Sequence, residues 1–360
     1  MSKTSRQLKC LVRADDAIAF AVSVLAKQGV RHADAVIVAE CLVEADLRGV
    51  QTHGLSRLPG YSERLQRGVL NPRPELVIDK PVAACGLLDG DNGFGFLVGR
   101  RAMAEAIEMA ETCGVGVIAA RNSNHYGMAA SYLLQAVEAG YFAFVFSNAA
   151  KSMPPWGGRE GLFGTNPFAA GAPAGEKPPF ILDMSPAVAA RGKIRLAEKR
   201  GEIIPEGYAL DKDGKSTTDP TAALGGVVLP IGTYKGSGIS MLMDILSGVF
   251  SGAGFAGGVR DQYNDWDAPQ NVGHFFMALK PGIFVTEQGF RDRMDVLVDS
   301  VKSVPLADGC DEILMPGEVE ARLAADRRVN GIPFAEADLK LLSALAIQHD
   351  VAVMPHSPNN

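Results

Sequence analysis

Apolar residues recur at intervals of three and four between about Ala14 and Leu47: Ala17, Ile18, Val22 and Leu25, then Ala35, Val36, Ala39, Leu42 and Val43. That spacing lines one face of a helix, and the break at Gln28-Gly29-Val30 divides the run into two helices. A third helix is expected from Ser56 or Pro59 to Arg67, stopped by Gly68 and the Asn71-Pro72 turn. The pattern then changes. Val82 to Asp89 reads as a strand ending in the Gly90-Asp-Asn-Gly93 turn, followed by a helix from Leu97 to Thr112 and a strand from Val115 to Ala120. A helix from Met128 to Glu138, a strand from Tyr141 to Phe146 and a strand from Pro179 to Met184 continue the alternation. Strand, helix, strand order implies an α/β sheet layered by helices.

Between these elements, Pro154 to Gly175 is rich in glycine and proline and reads as one long loop. Loops of that length in compact domains are usually functional. A basic helix is expected from Ala187 to Arg200, a turn at Asp211–Lys215 and an exposed loop from Thr217 to Pro220. Lys235-Gly-Ser-Gly238 leads into an apolar helix from Ile239 to Phe250, and Ser251 to Gly258 reads as loop. A strand from His274 to Leu279, a helix from Thr286 to Val301 and a helical tail from Glu318 to His349 complete the chain. The expected division is a helical unit over 1–75, an α/β unit over 76–304 and a C-terminal segment over 305–360 that packs back on the first.

Composition narrows the class. The 360 residues are 47% hydrophobic and 21% charged, as in an ordinary soluble globule. A net charge of −6 argues against nucleic-acid binding. No apolar run reaches the ~20 residues of a membrane span. The stretch from Met1 to Gln7 is polar and lacks the apolar core of a signal peptide, so a cytoplasmic location is expected. The five cysteines are odd in number and never spaced Cys-x-x-Cys, which supports neither a disulfide framework nor a zinc site.

Candidate chemistry concentrates in polar breaks. In Gln51-Thr-His-Gly-Leu-Ser-Arg57, His53 and Arg57 would share a helical face, or Gly54 would let a ligand approach the backbone. Histidine can hold or lose a proton near neutrality, and arginine offers a planar fork to a carboxylate. A surface pair after a helix end would show the same spacing. In Ser123-Asn-His-Tyr-Gly127, His125 sits at a strand-to-helix turn where free N–H groups favour a phosphate, although Ser123 and Asn124 could simply cap the helix. Lys235-Gly236 is a glycine-rich helix entrance with a cation, but not a Walker motif. Gly93-Phe-Gly95 followed by Gly99 misses the dinucleotide fingerprint by one residue, which rules out a standard Rossmann reading. Asp183 ends a strand where α/β proteins bind ligands, or caps the next turn. Trp156 either walls a pocket or fills a core edge.

Taken in order, Thr-His-Gly-Leu-Ser-Arg57, Ser-Asn-His-Tyr-Gly127, Pro-Trp-Gly-Gly158, Phe-Gly-Thr-Asn-Pro167, Leu-Asp-Met-Ser185, Tyr-Lys-Gly236 and Met-Pro-Gly-Glu318 resemble the type-2 malate/L-lactate dehydrogenase family. That family also holds ureidoglycolate, sulfolactate, diketogulonate and cyclic-imine reductases, and the likeness runs from about residue 12 to 350. The resemblance implies an NAD- or NADP-dependent oxidoreductase with a non-Rossmann α/β cofactor domain, a smaller helical domain from both chain ends, and a homodimeric state. It makes His53 the proton donor and Arg57 the substrate-carboxylate clamp. It gives His125 a place in the cofactor turn His125, Tyr126, Gly127, Met128 and Ala129, with an acid/base role in some branches. Thr165 matches a substrate contact. Asp183, Met184, Ser185, Lys235, Gly236, Pro316, Gly317 and Glu318 match further cofactor contacts; no metal is implied.

Three functions follow as expectations. The first is a dehydrogenase for a small 2-hydroxy/2-oxo acid of the malate or lactate kind. The second is a reductase of a cyclic imine or a sugar-derived keto acid on the same scaffold. The third is a catalytically silent dimer that binds a nucleotide or metabolite.

Overall fold

The computed structural model describes residues 9–358; the polar stretch Met1 to Gln7 lies outside them. The expected helix pair forms as Ala14–Lys27 and His32–Leu47, parted by Gly29 at φ +85°. Ala17, Phe20, Ala21, Val24 and Leu25 are buried along one face of the first helix. Buried leucines and phenylalanines each contribute about 1.5–3 kcal/mol through area removed from water.

Their core is shared with the chain's other end. Ala324, Ile332, Phe334, Leu339, Leu342 and Leu345 belong to the same apolar cluster. The helical reading of 318–349 needs one correction: the helices Glu318–Asn330 and Glu336–Gln348 are interrupted by a strand, Ile332–Ala335. That strand pairs antiparallel with Lys9–Val12, which also pairs with Ser357–Pro358. His349, for which the sequence suggests no partner, hydrogen-bonds Ser62 through Nε2 at 2.9 Å.

The second unit is a seven-stranded sheet in the order Val77–Val82, Cys85–Asp89, Val115–Ser123, Val272–Leu279, Phe142–Ser147, Phe168–Ala172, Phe180–Met184. Only Cys85–Asp89 and Val115–Ser123 run parallel. Side-chain alternation assigns the two faces. Ile118, Ala120, Phe276 and Ala278 pack under the helices Gly95–Cys113 and Ala130–Glu138. Phe275, Met277, Phe144 and Phe146 face the helix Tyr234–Asp244 and its π-helical continuation Ile245–Val249.

Two expected elements differ. The single strand from Val82 to Asp89 is the second half of a hairpin, because Ala83-Ala84 turns the chain. The long loop read over 154–175 contains the strand Phe168–Ala172. Its Phe-Ala-Ala-Gly-Ala sequence has little strand character of its own, and ladders on both sides hold it. A third small core, with Met153, Ile194, Ile204, Ala209 and Val228, organises the helix Arg191–Arg200 and the hairpin Ala209–Leu210/Ser216–Thr217. The basic helix starts at Arg191 rather than at Ala187, because residues 186–189 form bends with an isolated bridge from Ala187 to Pro230. No helix among the described residues is long and apolar enough to cross a membrane.

Candidate active site

The segment after the helix His32–Leu47 is neither the helix nor the open turn that the sequence allowed. It forms two successive 3-10 turns, Gln51–His53 and Leu55–Arg57. Asp46, with 1% of its surface exposed, reaches across from the helix end and accepts the Leu55 N–H at 2.8 Å. A Cβ on Gly54 would stand 1.9 Å from Asp46 Oδ1, so only glycine lets the carboxylate reach this bond. Gln51 ties the loop to the C-terminal segment by donating to the Pro333 carbonyl at 2.9 Å.

On this support, the half-buried His53 has Nδ1 2.9 Å from its neighbour's hydroxyl, Thr52 Oγ1. Arg57 donates to the Thr52 carbonyl and lies 5.1 Å above the Tyr263 ring. No carboxylate among the described residues pairs with Arg57; burial lowers its pKa, with Tyr61 and another cation, Arg195, bearing on it in opposite senses. An arginine without a protein acid is ready for an anionic ligand.

His125 arrives from the other unit, in the turn between Val115–Ser123 and Ala130–Glu138. Its ring stacks against His53 with centroids 5.5 Å apart and planes inclined by 23°. Tyr61 Oη lies 2.6 Å from His125 Nδ1, and the Gly127 N–H donates to the same nitrogen at 3.3 Å. Gln270 accepts the backbone N–H of His125 at 3.1 Å. Nε2 of both histidines has no hydrogen-bond partner among the described residues. Burial, joined by the Arg57 charge, lowers the His53 pKa to about 4. Burial and the charges of His53, Arg57 and His274 hold His125 well below its ordinary value. Both rings are neutral at pH 7 in the free protein.

The remaining candidates gather along the neighbouring strand ends. Asp183, exposed at the end of its strand, accepts the Ala130 N–H at 2.8 Å. It therefore occupies the helix end at which the sequence suggested a phosphate. Met184 lies at the end of the same strand, and Ser185 Oγ donates to the Thr165 carbonyl at 3.0 Å. Pro186 accepts from Ile231, whose carbonyl in turn accepts the Gly236 N–H at 2.9 Å. Lys235 and Gly236 lie inside the first turn of the helix Tyr234–Asp244, not in a loop before it. Trp156 is 51% exposed, and its backbone is bonded to Ser237 at 2.9 Å, which brings the 154–158 loop to the same place.

Pro316 accepts the Ile181 N–H at 3.0 Å, and Gly317 takes φ +87° against Ile181. Glu318 is already engaged: Lys302 at 2.7 Å, Arg322 at 2.5 Å and the Met315 N–H at 3.1 Å hold its pKa down at about 2. A ligand at this turn would meet backbone rather than the Glu318 carboxylate. Tyr126, Met128 and Ala129 are buried, with Tyr126 stacked on His274 at 4.7 Å. The off-register glycines are packing devices: a Cβ on Gly95 or Gly99 would collide with the Asn124 carbonyl or the Tyr132 ring.

Sequence reasoning missed Asp46, Tyr61, Gln270 and His274. Tyr61 follows Arg57 at helical spacing, a signal that could have been read. His274 is fully buried and bridges Ser147 and Ser123 at 2.8 Å each, a pairing visible only once the strands are in register.

Comparison with known proteins identifies the family. Residues 12–343 match the family model described as malate/L-lactate dehydrogenase. The chain is 41% identical to the L-sulfolactate dehydrogenase of Methanocaldococcus jannaschii over 85% of its length and 88% of that protein's. It is 38% identical to a malate dehydrogenase of Pyrococcus abyssi, covering 92% and 93% of the two chains. The solved structure of sulfolactate dehydrogenase from Methanocaldococcus jannaschii superposes with a TM-score of 0.91 at 37% identity, covering 95% of this chain and 98% of that one. The chain belongs to the malate/L-lactate dehydrogenase family.

Proposed function

We propose that this protein is an NAD- or NADP-dependent oxidoreductase acting at C2 of a small 2-hydroxy/2-oxo acid. The observation that carries the reading is the meeting of His53 and His125, each with Nε2 unpartnered, beside the acid-free Arg57. A nicotinamide dinucleotide bound here supplies or accepts the hydride. The residues present fit such a group. Lys235 is exposed at a helix start and makes no ion pair among the described residues, as a phosphate contact requires. Asp183, the Thr165–Ser185 pair and the Pro316-Gly317 backbone would hold the remainder.

The chain's own part is proton transfer and orientation. Arg57 holds the C1 carboxylate, which fixes the face of C2 presented. His53 exchanges a proton with the oxygen on C2, a contribution of ~10²–10⁴-fold. Because free His53 is neutral at pH 7, it takes the proton from the alcohol in oxidation as it stands. In reduction it must first gain a proton, and the negative charge of the bound acid favours that gain.

The charge of Arg195 bears on both Arg57 and Arg191, with Asp261 offsetting part of it at Arg191, so cationic groups outnumber acids around Arg57. This supports an acid with a second anionic group, of the malate or sulfolactate kind, over lactate. The test is consumption of NADH and of NADPH with oxaloacetate, sulfopyruvate, pyruvate and a cyclic imine acid. Turnover is expected with one of the first two. Turnover of the cyclic imine alone would replace this reading with imine reduction, and failure to bind either dinucleotide would overturn it.

The homodimer belongs to the same proposal. The helix Tyr234–Asp244 and its continuation present Met241, Leu242, Val249 and Phe250 to solvent, and exposed apolar groups of this kind mark interaction sites. We also carry forward the division at residues 75 and 304; the first apolar core draws mainly on the two chain ends, with Phe94, Phe96 and Leu97 reaching into it from the second unit. Light scattering at working concentration tests the dimer.

A further inference from the structure

The two histidine rings stack on each other but are held by different partners. Thr52 Oγ1, beside His53 Nδ1, is a hydroxyl and can donate or accept. His53 can therefore be neutral or protonated without losing that bond. The Gly127 N–H, beside His125 Nδ1, can only donate. With a fixed donor aimed at it, Nδ1 of His125 is favoured as an acceptor, and the Tyr61 hydroxyl can donate to it there; a proton on Nδ1 would oppose the Gly127 N–H. Tyr61 completes the arrangement at 2.6 Å, with the Gln262 side chain next to its hydroxyl.

We propose that Tyr61 is a positioning residue which, together with the Gly127 N–H, locks His125 as the neutral Nε2–H tautomer. In this state His125 donates a hydrogen bond to the oxygen on C2 but does not exchange protons during turnover. Proton exchange is thereby confined to His53. Burial keeps the Tyr61 phenol well above its ordinary pKa, so its proton stays available to Nδ1. The charged or titratable groups that face His125 are His53, Arg57, Tyr61 and His274, and none is an acid that would stabilise an imidazolium.

The consequence for catalysis rests on the oxidoreductase reading, but the lock itself does not. Nitrogen-15 NMR of the histidine rings in the full free chain reads the tautomer directly. The expected result is an unprotonated Nδ1 and a protonated Nε2 for His125, unchanged between about pH 5 and 8, where an ordinary imidazole titrates. A protonated Nδ1, or a His125 that titrates in this window, would overturn the proposal. In Tyr61→Phe, His125 should acquire a mixture of tautomers while the His53 signals stay as in the parent. Turnover of the substrate found in the panel should fall roughly 5-fold, the change one neutral hydrogen bond controls. A Tyr61→Phe chain with unchanged His125 signals would remove Tyr61 from the assignment. Failure of the whole acid panel with the NMR result intact would sink the function and leave the tautomer standing.

Discussion

His53 and His125 are the same side chain in the same cleft, yet they come from opposite kinds of structure. His53 rides on a pair of 3-10 turns in the helical unit, held by Asp46 and by a bond to the C-terminal segment. His125 is set in a strand-to-helix turn of the sheet unit, its ring nitrogen fixed by a backbone donor and a buried phenol. The difference teaches that proximity does not assign roles; the partner on the far nitrogen does. His53 has only a hydroxyl beside Nδ1, whereas a backbone N–H opposes a proton on that nitrogen of His125.

That contrast can be broken or sharpened by mutation. His53→Ala should lower kcat by ~10²–10⁴-fold with KM nearly kept, as expected for loss of a positioned proton-transfer group; unchanged kcat would remove His53 from the scheme. Arg57→Ala should act on KM instead. Loss of a charged bond of about 1.5–3 kcal/mol corresponds to roughly 10–150-fold in steady-state KM. Asp46→Ala releases the loop that carries both residues, so kcat and KM should worsen together and stability fall by about 1–3 kcal/mol in a denaturant titration. Asp46→Asn, which can still accept the Leu55 N–H, should restore most of both.

Two pH effects are smaller. Burial raises the Asp46 pKa from 3.8 to about 7, so its stabilising contribution is full below pH ~4 and is lost as pH rises through 7. Asp46→Asn should therefore gain on the parent protein in melting temperature between pH 5 and about 8. For His53, lowered to about 4, the sign is opposite: the contribution is present above pH ~6.5 and is lost as pH falls through 4. The kcat/KM for alcohol oxidation should accordingly hold down to about pH 5 and then decline, since it reports the free protein.

Much of this was legible in the chain. The helix pair Ala14–Lys27 and His32–Leu47, the α/β alternation and the ordered motifs placed His53, Arg57 and His125 in polar breaks, where the structure brings them together. The strand Phe168–Ala172 was not legible, because small side chains carry no strand signal until neighbouring ladders supply it. Lys235-Gly-Ser-Gly238 read as a loop because glycines weaken a helix locally, yet Gly236 is required because a Cβ there would stand 2.4 Å from the Ile231 carbonyl oxygen. Asp46, Tyr61 and Gln270 were invisible as site residues, since their roles rest on bonds across 9, 64 and 145 positions.

The central claim, one histidine that moves protons and one that does not, is tested most directly by chemical rescue. Turnover of the best 2-oxo acid would be followed in His53→Ala and His125→Ala with increasing free imidazole. The account predicts that imidazole restores His53→Ala in proportion to its concentration and leaves His125→Ala unrescued. Rescue of His125→Ala with none for His53→Ala would contradict it and exchange the two roles.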